Sequence, residues 1–178
     1  MDLFQNSRWH DRGGFTIFEL LMGMVLLSIL TAFFSASITD SLDTFHLSSA
    51  SAKVVHDLRF AQQQSMSRNA WYGVEFFASP TNSYHVYFTD GTTHFDIVDP
   101  ANRGSTLWVK LGSSYSVSLS GVNIAGGSKV AFSPLGRPYD DKNGTALAAD
   151  GSLSLASGNK TKVIQILKET GRVDTPWN

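Results

Sequence analysis

From Phe15 to Thr39 the chain is almost unbroken apolar sequence, FTIFELLMGMVLLSILTAFFSASIT, with Glu19 as its one ionisable residue. As a helix this stretch would run roughly 37 Å against about 30 Å of bilayer hydrocarbon, which predicts a membrane-spanning helix with some tilt. Beyond Asp40 the pattern changes to steps of three and four, Leu42, Phe45, Ser49, Ala52, Val55 and Leu58, the signature of one apolar face on an amphipathic helix. No proline or glycine interrupts Met24 to Asn69, so a single helix of about 80 Å is expected from Phe15 to about Arg68. Its polar run Gln62, Gln63, Gln64, Ser65 reads as solvated helix surface.

From Trp71 the period shortens. Runs rich in aromatic and β-branched residues at Trp71 to Phe77, Tyr84 to Thr89, Phe95 to Val98, Leu107 to Leu111, Val117 to Leu119, Lys129 to Phe132, Ser152 to Leu155 and Lys162 to Leu167 predict strands. Pro80, Asp90-Gly91, Pro100, Gly126-Gly127, Asn143-Gly144, Asp150-Gly151 and Gly158-Asn159 supply the turns between them. The expected class is α+β: a long N-terminal helix, half transmembrane and half amphipathic, packed on an antiparallel two-sheet β head. The divisions are residues 1–14, a short polar lead-in; 15–39, the spanning helix; 40–69, the amphipathic helix; and 70–178, the head.

Composition narrows the function classes. Fourteen Lys and Arg against fifteen Asp and Glu leave a net charge of −1, which gives no long-range attraction for phosphate backbones, so nucleic acid is not an expected partner. Without cysteine there is no disulfide framework, thiolate metal site or cysteine nucleophile. Arg8 and Arg12 precede the apolar segment and the next basic residue is Lys53, an asymmetry that places the N-terminus in the cytoplasm and the head across the membrane. A secretory signal peptide would need an apolar region of only about 7 to 15 residues and a small-residue cleavage site after it; this stretch is longer and leads into more helix.

Glu19 is the anomaly. A carboxylate deep in a bilayer costs about 2.5 to 3.5 kcal/mol even on insertion scales, so it needs either a partner or a position near the interface from which to snorkel.

The run Arg12, Gly13, Gly14, Phe15, Thr16, Ile17, Phe18, Glu19, Leu20, Leu21 resembles the processing motif of type IV pilins and pseudopilins. The resemblance implies that residues 1–14 are a leader, that prepilin peptidase cuts between Gly14 and Phe15, that Phe15 becomes N-methylated, and that Glu19 is kept for assembly. The α-amino group released on Phe15 and a neighbouring subunit's Glu19 would then neutralise each other. Gly14 suits the residue before a cut, since a backbone without a side chain enters a tight cleft. Two departures from the family pattern stand out: Phe18 replaces a more usual aliphatic residue, and Asp2 and Asp11 offset Arg8 and Arg12 in a leader that is normally basic.

The distal sequence Val130 to Arg137, then Gly151, Lys162 to Leu167 and Thr170-Gly171-Arg172-Val173 is similar to the GspH/FimT branch of that family, which implies a pilin-like fold. Phe132 and Leu135 are expected in the core and Gly136 in a turn. Arg137 and Arg172, each after a glycine, are expected at the surface as ion-pair members or as contact residues. DNA-binding members of the FimT group carry basic residues around the Gly-Arg motif, whereas here Asp174 stands close to Arg172.

Catalytic patterns are missing. The chain has no Gly-x-Ser-x-Gly elbow, and Gly127-Ser128-Lys129 lacks the residue order of a phosphate loop. His10, His46, His56, His85 and His94 include no His-x-x-x-His pair, leaving His94-x-Asp96 as a lone metal hint. Asp140, Asp141 and Asn143 form an acidic turn that is a calcium candidate, without the terminal Glu of a twelve-residue calcium loop. No enzyme and no cofactor is expected. What the resemblance implies is a minor pseudopilin of a type II secretion system, an inner-membrane protein built into a periplasmic filament with other pilins or pseudopilins. The alternative is a FimT-like minor pilin of a type IV pilus, and behind it a signal-anchored enzyme.

Overall fold

The computed structural model describes residues 14–141 and 144–176. Two compact units meet between Thr39 and Asp40, and helix α1, Ile17–Arg68, contributes to both. In the first unit Thr16 starts the helix: the Glu19 amide donates to Thr16 Oγ1 at 3.2 Å and the Leu20 amide to the Thr16 carbonyl at 3.1 Å, which satisfies two of the amides a helix start leaves unpaired. The apolar side chains that follow, from Ile17 to Phe33, are exposed. Ser28 and Thr31 turn their hydroxyls inward on the helix itself. Ser28 donates to the Val25 carbonyl at 2.7 Å and Thr31 to the Leu27 carbonyl at 3.0 Å, which satisfies both hydroxyls within the helix.

In the second unit α1 buries Leu47, Ala50, Val54, Leu58 and Ala61. This stripe overlaps the predicted one at Leu58, fully buried, and beside Val55, packed against the core, and departs from it elsewhere. Leu42 and Phe45 are 51% and 67% exposed, and Ala52 is exposed too. Two apolar stripes overlap on this helix, and the buried one carries small residues at Ala50, Ser51, Ala61 and Ser65. Asn69, with φ of 50°, ends the helix in the left-handed conformation that asparagine tolerates.

The head strands are β1 Trp71–Phe77, β2 Ser83–Thr89, β3 His94–Asp96, β4 Trp108–Lys110, β5 Ser118–Asn123, β6 Lys129–Phe132, β7 Pro138–Tyr139, β8 Gly151–Ser157, β9 Lys160–Ile166 and β10 Val173–Asp174. The first sheet runs β3-β2-β1-β6-β7, with β4 sharing the free side of β2; the second runs β10-β9-β8-β5. The named pairs are antiparallel, for example Val74 opposite Val86 and Leu153 opposite Ile164. Strand β8 alternates cleanly, with Leu153 and Leu155 inward. The class is therefore α+β, a long N-terminal helix with two antiparallel sheets.

The predicted strand at Leu107 to Leu111 is shorter than expected. Leu111 opens a one-turn helix, α2 Leu111–Tyr115, because its amide bonds the Asn82 carbonyl at 2.8 Å and its side chain turns into the core. Leu135 is a second correction. Phe132 is fully buried, yet Leu135 is 90% exposed; it occupies the tip of a turn closed by the Gly136 amide on the Ser133 carbonyl at 2.7 Å, and a residue at a tip has no sheet to cover it.

One buried acid links helix and sheet. Asp57, 1% exposed, accepts from Lys53 Nζ at 2.8 Å on both oxygens and from the Tyr84 hydroxyl at 2.9 Å. Burial, reinforced by the Asp57 charge and this hydrogen bond, pushes the Tyr84 phenol far above the ordinary tyrosine range. Tyr87, lying over Gly73 of β1 and stacked on the His94 ring at 4.2 Å, is pushed up as well, by burial first and then by Asp141 and Glu75.

Candidate functional site

Two regions carry the residues singled out by sequence, and each belongs to one unit. The first is the helix start. Gly14 and Phe15 lie just ahead of α1 and are exposed, with open space around the position a Gly14 side chain would take. Phe15 is 82% exposed and Phe18 is 74% exposed, so the bond between Gly14 and Phe15 is sterically open. Glu19 sits at the third helical position, the place from which an acid complements the positive end of the helix dipole. Thr16 and Glu19 thus have the spacing of a capping box, and the amide half of that box is made. Arg8, Arg12, Asp2 and Asp11 lie outside the described residues. Gly23, with open space around it, and Ser28 offer small positions for close helix approach.

The second region is where two Gly-Arg turns meet under α1. Gly136 and Gly171 have φ of +78° and +67°, a conformation that costs other residues free energy. A Cβ on Gly171 would stand 2.6 Å from the Gly136 carbonyl oxygen, so the turns are in backbone contact. Gln62 of α1 fastens them, its Nε2 donating to the Gly136 carbonyl at 2.9 Å and to the Thr170 carbonyl at 2.8 Å. Arg59, one turn earlier, donates to the Val173 carbonyl at 2.9 Å. Gln62 and the buried Ser65 correct the expectation of a plain solvated surface for the run 62–65. The sequence did hold a signal for this: Gln62 and Ser65 continue the period of the buried Val54, Leu58 and Ala61, so the polar run passes across the core face.

This arrangement brings Arg137 and Arg172 to adjacent turns and gives each an acid. Arg137 reaches Glu169 at 3.3 Å and Arg172 reaches Asp174 at 2.5 Å. Both ion pairs are solvent-exposed, and pairs of that kind are worth at most about 1 kcal/mol. A polyanion would have to displace both acids.

The acidic turn is occupied by the chain's own groups. Asp141 faces Lys129 Nζ at 2.6 Å and His94 Nε2 at 3.7 Å, while Asp140 Oδ1 accepts the Asp141 amide at 2.8 Å. Asn143, the third candidate calcium ligand, lies outside the described residues. Asp96 and His94 do not converge on a common point: Asp96 Oδ1 is 2.7 Å from His85 Nδ1, with Glu75 3.4 Å from the other ring nitrogen. Among the described residues no group of three or more His, Asp or Glu is arranged to hold a metal ion. His10 lies outside them.

A family model described as the prokaryotic N-terminal methylation motif matches residues 9–35. The chain carries a methylation-type leader. The matched stretch runs from before the Gly14-Phe15 bond through Glu19 and most of the exposed apolar helix. No curated protein matches the chain. Among solved structures, the type IV minor pilin FimU of Pseudomonas aeruginosa is similar in two crystal forms, both at 11% identity over 74% of this chain. The TM-scores are 0.48 and 0.47, over 88% and 93% of the FimU chain.

Proposed function

We propose that the chain is a non-catalytic minor pseudopilin, a structural subunit of a type II secretion filament that takes part in protein export across the outer membrane. The observation that carries this reading is the methylation motif over residues 9–35 running into a helix whose apolar side chains are exposed. Prepilin peptidase cuts between Gly14 and Phe15, and Phe15 is then methylated. The helix 15–39 holds the chain in the inner membrane with the head in the periplasm. Subunits associate through this helix, and Glu19 of one chain neutralises the Phe15 amino group of the next. Each charge supplies what the other lacks in a medium where an unpaired ion is costly.

A FimT-like subunit that touches DNA is less well supported by the charge distribution, since both Gly-Arg arginines are paired with acids and the net charge is −1. The test is intact mass and N-terminal sequencing of the protein from membranes, with and without a co-expressed prepilin peptidase. The expected product begins at Phe15 and carries one added methyl group. Retention of Met1 to Gly14 beside an active peptidase would overturn the reading. Deletion of the gene in its host, followed by assays of secretion and of surface piliation, separates the two machines.

A further inference from the structure

Phe60, Gln64 and Arg68 stand four residues apart near the end of α1 and so share one side of the helix. Facing them is the chain between β3 and β4. Its own backbone holds it in shape: the Leu107 amide donates to the Ile97 carbonyl at 2.8 Å and the Asp99 amide to the Ser105 carbonyl at 2.9 Å. Helix and loop enclose a groove of about 550 Å³. Its apolar wall is the buried Tyr72 with Phe60 and Ile97, which pack against the core. The arginines of the second unit divide into two kinds. Arg59, Arg137 and Arg172 each reach an acceptor on the chain. Arg68 and Arg103 reach none among the described residues, and both line this groove. Asp99 is the one acid in the lining; its Oδ1 accepts the Ala101 amide at 2.8 Å, and it forms an ion pair with neither arginine. The groove therefore carries one positive charge in excess.

We propose that this groove binds a carboxylate carried on an apolar body, supplied by an acidic side chain within an apolar segment of a partner protein. Every residue of the groove belongs to the second unit, so the site is independent of the membrane reading. A guanidinium offers a carboxylate paired N–H donors in a fixed fork. A cleft of this size with an apolar wall and a few convergent polar groups is the usual form of a ligand site. One excess charge matches one carboxylate and gives no preference for a polyanion. Arg68 and Arg103 are exposed, and Gln64 between Phe60 and Arg68 is half-buried. The groove thus lies open to a chain laid across it, the mode in which clustered arginines capture acidic motifs. The competing role for Arg68 is to offset the negative end of the helix dipole from the last turn of α1. That role gives no reason for Arg103 to line the same groove.

The test uses the full chain in detergent. It is incubated with a pool of capped tetrapeptides that hold glutamate among varied apolar residues and, separately, with the matched pool that holds glutamine; retained peptides are counted by mass spectrometry after gel filtration. The native chain should retain the glutamate pool about tenfold over the glutamine pool, the discrimination expected of a charge-assisted hydrogen bond. Arg103→Gln should remove that preference while the midpoint of thermal unfolding stays unchanged. Arg103→Lys should keep part of it, and Lys110→Gln, on β4 and outside the groove, should keep all of it. Equal retention of the two pools by the native chain overturns the proposal, as does a preference that survives in Arg103→Gln. Phenylpropionate that displaces the peptides at equal concentration overturns the partner-segment source and assigns the groove to a small carboxylic acid.

Discussion

Gln62 spends both of its amide hydrogens on carbonyls from turns that lie 74 and 108 residues away in sequence. Replacing it by alanine removes two hydrogen bonds, one part-buried and one exposed, at a net cost of about 0.5 to 1.5 kcal/mol for a bond of this kind. Gln62→Ala should therefore lower the midpoint of thermal unfolding by several degrees, on the order of 2 to 4 °C per kcal/mol for a chain of this size, measured by calorimetry of the detergent-solubilised protein. Tyr84 and Tyr87 give a second residue-scale prediction. Their folded-state ionisation is shifted upward, whereas in the unfolded chain a tyrosine ionises near pH ~10. The stability supplied by the neutral buried phenols is thus complete below about pH 10 and is lost as the pH climbs through and beyond that value. A spectrophotometric titration should show these two rings remaining protonated until the head unfolds, with an abrupt absorbance rise at that point.

At the scale of elements, the strands and the long helix were legible because their periods differ, and most strand limits fall within a residue or two of the pattern. The buried face of α1 was legible only at Val55 and Leu58. Leu42, Phe45 and Ala52 satisfy the helical period as well as Leu47, Val54 and Ala61 do, and periodicity alone carries no information about which face the sheets will cover. Substitution separates the faces: Leu47→Ala, on the buried stripe alone, should cost about 2 to 5 kcal/mol, the range for truncating a buried leucine, while Phe45→Ala on the exposed stripe should stay within about 0.5 kcal/mol in the same unfolding assay. Leu135 was misread for a related reason, since its neighbours Val130 to Phe132 are core and only the hydrogen-bonded turn after Ser133 reveals that the chain has left the sheet. Gly136 and Gly171 were readable as turns, but the pairing of one turn with the other depends on Gln62, whose role emerges only in three dimensions.

For the whole molecule, the methylation motif over residues 9–35 and the long apolar helix were the most legible parts, because a helix long and apolar enough to cross a bilayer leaves a plain mark in sequence. Glu19 is the break in that mark, and its consequence belongs to the assembled state. Glu19→Ala should leave membrane insertion unchanged, as judged by carbonate extraction, and abolish incorporation into filaments sheared from cells; normal incorporation would sink the pairing with the Phe15 amino group. Loss of the acid also removes a favourable charge at the helix start worth about 0.3 to 1 kcal/mol, too little to prevent a helix of this length from forming.

The bonds from Arg59 and Gln62 to Val173 and Thr170 set an order of events during synthesis. The helix leaves the ribosome more than a hundred residues ahead of the strand that locks it, and translation at about 5 to 20 residues per second separates the two by roughly five to twenty seconds. Throughout that interval the apolar segment has already been made, while Leu47, Val54, Leu58 and Ala61 wait uncovered for sheets not yet formed. A newly made chain is thus vulnerable to proteases and to premature association along its helix, and its core is closed only when strand β10 arrives.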